Sequence, residues 1–304
     1  MRQAGGPVGA AFFDVDETLI TGKSMLALLA FHWGRERGGP ARFAAARASL
    51  GAQLRSRVPR EQVNRSYYRL LRGIRAADLE RSGRSWFARE EGRGLFHPVV
   101  VDALRRHRRD GDLVVLLSGS FAACLSPIGE AVGADLVVGT VPRVVDGVLT
   151  GDLAGPPMIG QVKADTARLV MGDRGLSPAR CSAYGDDASD LSLLACVGNP
   201  VVVGDDPELV AQATAQGWSR LPGPVRPRAG GLRFEGVSPL SARVRAQGGQ
   251  EGVPVVGGAG VADHPVCRVR SEEQGQRDPG QRVRPEVLGD ASVVLCGANQ
   301  LDEL

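Results

Sequence analysis

Two aspartates, Asp14 and Asp16, leave the end of the apolar run Ala10-Ala-Phe-Phe13. Carboxylates at i and i+2 on a departing strand can converge on one cation or one phosphate, one serving as nucleophile while the other manages protons. By itself the segment reads equally well as a solvated acidic turn. Three further segments carry complementary chemistry. Ser118-Gly119-Ser120 closes a second apolar run, and hydroxyls with free backbone N–H groups at a strand-to-helix turn form an anion seat. Lys163 opens a later helical segment, where its ammonium could neutralise a phosphoryl oxygen. Of 37 basic residues only Lys23 and Lys163 are lysine, so each stands out from an arginine background. Gly185-Asp186-Asp187-Ala-Ser-Asp190 is acidic again at a strand end, a set of hard oxygen donors suited to Mg²⁺.

The elements between these segments decide whether they can meet. Residues 24 to about 93 carry helical patterns with no good strand, broken at Gly38-Gly39-Pro40, Val58-Pro59 and Gly73 into about four helices. From His97 helices and strands alternate. Helices are expected over Pro98–Arg109, Phe121–Val132, Gln161–Met171, Ser189–Cys196 and Pro207–Gln216. Strands are expected over Leu113–Leu117, Leu136–Gly139, Arg180–Tyr184 and Val201–Val203, with a hairpin on Asp146-Gly147. Leu113–Leu117 is apolar throughout, as in strands covered on both faces. The alternation predicts an α/β fold, a doubly wound parallel sheet with the helical block inserted after its first strand. In such sheets ligands bind beyond the strand carboxyl ends, where all four segments fall. From Leu221 the pattern dissolves: the last 84 residues hold 14 glycines and 8 prolines, and a disordered tail is expected.

Taken together, Asp14-Val-Asp16-Glu-Thr18-Leu, Ser118-Gly-Ser, Lys163 and Gly185-Asp-Asp-Ala-Ser-Asp190 resemble the four motifs of the haloacid dehalogenase-like phosphohydrolases. The match covers roughly residues 10 to 218. A helical insertion between the first two motifs resembles the phosphoserine-phosphatase-like branch, where it forms a mobile cap. The resemblance implies a Rossmann-like core from residues 8–22 and 94–219, an all-helical cap from 23–93, and a tail from 220–304. It implies a Mg²⁺-dependent phosphomonoester hydrolase in which Asp14 attacks phosphorus and Asp16 acts as acid and then base. Thr18, Ser118, Gly119 and Lys163 would hold the phosphoryl group. Mg²⁺ would be bound by the Asp14 carboxylate, the Asp16 backbone carbonyl and Asp186, with Asp187 and Asp190 steadying the metal or Lys163. In that branch an acid nine residues after the nucleophile meets the substrate ammonium; here Lys23 stands there, favouring an anionic substrate group instead.

Other classes fit less well. Thr21-Gly22-Lys23-Ser24 matches the end of a P-loop, but Glu17 occupies the position that needs glycine. No GxSxG surrounds Ser118 or Ser120, and five cysteines form no CxxC pair. A net charge of +3 gives no strong nucleic-acid signal. With no apolar signal segment or spanning run, a cytoplasmic protein with reduced thiols is expected. Residues 35 to 93 contain 15 arginines against six acids, with Tyr67, Tyr68, Trp86 and Phe87 among them. That basic cap suits an acidic substrate such as a small phosphorylated metabolite, a phospholipid headgroup at an anionic membrane, a nucleic acid stacked on its aromatics, or solvated helix faces around an aromatic core. A phosphotransferase or phosphomutase on the same aspartyl-phosphate is the alternative enzyme, and a phospho-ligand or nucleic-acid binding module the alternative without catalysis.

Overall fold

The computed structural model describes residues 6–224; the expected tail lies outside the described residues from 225 onward. β1 (Ala10–Phe13) is followed by four helices, α1 (Ser24–Trp33), α2 (Gly39–Arg55), α3 (Arg60–Arg69) and α4 (Ala76–Glu90). Next come α5 (Pro98–Asp110), β2 (Leu113–Ser118), α6 (Ala122–Val132), β3 (Leu136–Gly139) and a hairpin of β4 (Pro142–Val145) and β5 (Val148–Leu153). The chain then forms α7 (Gln161–Asp173), β6 (Ser182–Gly185), α8 (Leu191–Leu194), β7 (Asn199–Val203), α9 (Pro207–Gln216) and β8 (Ser219–Leu221).

Among the described residues six strands make one sheet in the order β3-β2-β1-β6-β7-β8, and every pairing in it is parallel. β1 therefore has β2 on one side and β6 on the other, and the winding reverses across it. A crevice opens at the carboxyl end of a strand at such a switch, and Asp14 is the first residue past β1. All four β1 residues and all six of β2 are buried. Successive side chains point to opposite faces: Phe12 joins the layer containing Ala167, Leu193 and Leu209, and Phe13 the layer containing Leu104 and Leu116.

The second layer also contains the interior of the helical insertion, where Trp33, Tyr68, Leu71, Leu79 and Trp86 are buried. Gly83 of α4 lies so close to the Ala123 carbonyl of α6 that a side chain there would collide with it. A glycine is what lets those two helices approach at the backbone. Tyr67, Tyr68, Trp86 and Phe87 are all under a tenth exposed, so they are core residues and offer no stacking surface for bases.

The hairpin turns on Asp146 and Gly147, both left-handed (φ 50° and 75°), as a two-residue turn requires. Leu149 N–H donates to Ile74 O and Gly73 N–H to Leu149 O, each 2.9 Å, so β5 binds the loop before α4. The sheet also runs past residue 219, the end expected for the core. β8 pairs with β7, and the carbonyl of Pro222 lies 2.9 Å from His97 Nε2. Among the described residues no helix is long and apolar enough to cross a membrane.

Candidate active site

Strand ends deliver the acids. Asp14 N–H donates to Tyr184 O (2.9 Å), tying the loop after β1 to β6. The next turn needs Glu17 at φ 66°, a left-handed residue without glycine, and it brings Asp16 under the start of α1. Asp16 Oδ1 accepts from Ser24 N–H (3.0 Å), one of the free donors of a helix N-terminus. Burial raises the Asp16 carboxyl above its ordinary range despite the opposing Ser24 hydrogen bonds.

Lys163, in the first turn of α7, is 4% exposed. Its Nζ pairs with Asp14 Oδ1 and, at 2.6 Å, with Asp190 Oδ1. Burial opposes the ammonium, but the facing carboxylates more than reverse that and raise its pKa. Carboxylate oxygens of Asp14, Asp186 and Asp190 all lie within 4.8 Å of one another. Burial, then Asp14 and Asp190, push Asp186 up to about 8. Asp190 is raised to about 6, by burial first and against the pull of Lys163. One lysine cannot offset three carboxylates. The donors are hard oxygens close enough to share a small divalent cation, so this set fits Mg²⁺.

Across from the acids, Ser118 Oγ accepts from Ser120 N–H (3.1 Å). The Gly119 carbonyl accepts from Asn64 Nδ2 (3.0 Å), Tyr68 OH (3.1 Å) and Thr140 Oγ1 (2.9 Å). Two of those donors come from α3, so the helical insertion is fastened to the turn after β2. Ser24 Oγ adds a bond to Ser120 Oγ (2.9 Å), and Arg60 an ion pair to Asp187 (2.5 Å). Arg60 lowers the Asp187 carboxyl against the opposing effect of burial.

A cavity of about 160 Å³ lies between insertion and sheet, lined by Asp14, Asp16, Lys23, Ser118, Gly119, Lys163, Asp186, Asp187 and Asp190. Nine of the ten residues singled out from sequence thus face one space. Thr18 does not. It is fully buried and its hydroxyl donates to Asp186 Oδ1 (2.7 Å), so it orients an acid rather than meeting phosphate. Lys23 is paired with Glu17. Arg60, Asn64 and Thr140 escaped the sequence reading, and Tyr68 entered it only as an aromatic of the cap. Three of the four lie on α3 and Thr140 just past β3, with no motif to mark them, and only contacts across the fold give them away.

The fold and this acid–lysine arrangement define a hydrolase class. Residues 11–195 match the family model for haloacid dehalogenase-like hydrolases, and the chain belongs to that family. It is 32% identical over 225 residues to the "Inhibition of morphological differentiation protein" of Streptomyces azureus, covering 71% of this chain and 78% of that one. It is 29% identical to phosphoserine phosphatase SerB1 of Mycobacterium tuberculosis, covering 69% of each chain. Among solved structures, a Bordetella pertussis protein of unknown function is 26% identical with a TM-score of 0.63, covering 71% of this chain and 98% of that one.

Proposed function

We propose that the protein is a Mg²⁺-dependent phosphomonoester hydrolase that carries the phosphoryl group on Asp14. Residues 8–22 and 94–219 serve as its core and 23–93 as its cap. The observation that carries this reading is one buried ammonium, Lys163, shared by Asp14 and Asp190 at the floor of a cavity containing Asp16 and Asp186. A binding module has no need of a carboxylate held this way. The relative named phosphoserine phosphatase supports the same class of reaction.

Phosphoryl transfer asks a protein mainly for positioning and charge neutralisation. Asp14 Oδ attacks phosphorus, and the bond from phosphorus to the substrate alcohol oxygen breaks. Asp16 supplies the proton to that oxygen. Its raised pKa favours the protonated carboxyl, and the Ser24 N–H bond to Oδ1 holds that carboxyl in place. Water then attacks phosphorus, Asp16 takes the water's proton, and the bond to Asp14 breaks to release inorganic phosphate. Ser118 and the N–H of Gly119 hold phosphoryl oxygens, and Lys163 offsets charge between Asp14 and phosphate. Asp14 and Asp186, with Asp190 alongside, would hold Mg²⁺, which supplies Lewis-acid neutralisation of the phosphoryl oxygens. Thr18 keeps Asp186 aimed.

Phosphate release from p-nitrophenyl phosphate in Mg²⁺ buffer tests the reading. Release without any added alcohol acceptor supports a hydrolase over a phosphotransferase. Absence of release from any phosphomonoester would remove the proposal.

A further inference from the structure

Resting on the hydrolase reading, we infer that the alcohol part of the substrate is an aliphatic chain, lodged against the hydrocarbon wall that the cap presents to the cavity. Met25 and Leu26 of α1, Leu50 and Leu54 of α2 and Val63 of α3 supply that wall. Met25 and Leu50 are under a tenth exposed, whereas Leu54 is 47% exposed. The apolar surface therefore continues from the enclosed interior to the outside. A phosphate held on the acid–lysine floor would direct its ester substituent along this wall.

The polar groups argue the same way. Among the described residues, every carboxylate lining the cavity belongs to the core: Asp14, Asp16, Asp186, Asp187 and Asp190. Asp14 and Asp190 share Lys163, Asp187 pairs with Arg60, Asp186 takes the Thr18 hydroxyl and Asp16 takes Ser24 N–H. No acid of the cap lines the cavity, so an ammonium on the alcohol part would meet hydrocarbon there. The two cap-side cations are themselves engaged, Lys23 by Glu17 and Arg60 by Asp187. A neutral acceptor also faces this wall: Asn64 Oδ1 is buried with no hydrogen-bond partner among the described residues, its amide orientation set by the Nδ2 bond to Gly119 O. It suits a hydroxyl on the chain and gives an ammonium no countercharge.

Burial of one methylene favours binding by roughly three- to fourfold. The test measures kcat/KM with Mg²⁺ for linear alkyl phosphates from ethyl to octyl, each below its micelle concentration, and for phosphoserine and p-nitrophenyl phosphate. The expected result is a rise of roughly threefold per methylene over the first few carbons, with phosphoserine below propyl phosphate. Leu54→Ser should flatten the upper part of the series. Monoacylglycerol phosphate in phosphatidylcholine vesicles then separates two sources of the chain: turnover above octyl phosphate supports a lipid, turnover below it a soluble ester, and both keep the aliphatic assignment. A flat series with phosphoserine preferred overturns the inference while p-nitrophenyl phosphate turnover leaves the hydrolase reading intact. No release from any ester, p-nitrophenyl phosphate included, overturns both.

Discussion

Lys163 Nζ donates to Asp190 Oδ1 at 2.6 Å while also pairing with Asp14, so one ammonium from α7 links acids that follow two adjacent strands, β1 and β6. All three groups are under a tenth exposed. Breaking a buried pair by removing one partner leaves a stranded charge, at a cost of about 3–5 kcal/mol. Lys163→Met should therefore lose activity and, in metal-free buffer near neutral pH, unfold at clearly lower urea. The deficit should shrink toward acid pH, because protonating Asp190 removes the charge that lost its partner. A deficit that grows as pH falls would contradict this arrangement.

The same acids set a pH dependence for metal binding. Asp186 and Asp190 are raised in the folded chain, to about 8 and about 6. A carboxyl whose folded pKa is raised contributes stability below its unfolded pKa of about 4, and loses it as pH rises through the folded value. Metal-free protein should thus lose stability from roughly pH 4 to pH 8. Mg²⁺ competes with those protons, so its stabilisation should grow over the same window, reaching about 2.7 kcal/mol at a hundredfold excess over Kd. Melting curves in Mg²⁺ and in EDTA across that range check it. A gap between the curves that is constant with pH would count against Asp186 as a ligand.

Asp16→Asn separates the proton role from the nucleophile. Loss of a general acid typically costs about 10²–10⁴-fold, and that loss should fall on alkyl phosphates, whose leaving alkoxide needs a proton. First-step release of p-nitrophenolate, which needs none, should be affected much less. Equal losses for both substrates in single-turnover assays would show that Asp16 has some other task.

Gly83→Ala tests how the insertion is seated. Alanine in a helix gains up to about 1 kcal/mol over glycine, so an unconstrained site would be stabilised. Here the added methyl meets the Ala123 carbonyl, and overpacking typically costs about 1–3 kcal/mol. Urea denaturation should therefore show a net loss. A gain would mean that α4 and α6 do not approach as described.

Asp14, Asp16, Asp186 and Lys163 were legible because strand ends in a parallel sheet concentrate chemistry at predictable places, and each sits at the end of an apolar run or the start of a helix. The alternation of strands and helices likewise revealed the sheet and the inserted helices. Thr18 was misassigned because sequence gives its position in the loop but not the direction of its hydroxyl, which turns to Asp186. β8 was missed since Ser219 and Arg220 are exposed polar residues at the sheet edge, with no apolar run to announce them. Arg60 and Asn64 look like any polar residues of a solvated helix; their roles depend on how α3 lies over the turn after β2. The arginine-rich insertion gave no such cue, because the charge of its helix faces says nothing about which residues line the cavity.

The most direct test of the central claim is the site of phosphorylation in Asp16→Asn, where slow water activation should let the phosphoenzyme accumulate. The protein is mixed with p-nitrophenyl phosphate and Mg²⁺, quenched in acid after one turnover, digested and analysed by mass spectrometry. The expected result is one phosphoryl group on Asp14, absent when Asp14→Asn is added. A phosphoryl group on another residue, or native-like turnover by Asp14→Asn in the otherwise unaltered protein, would contradict the account.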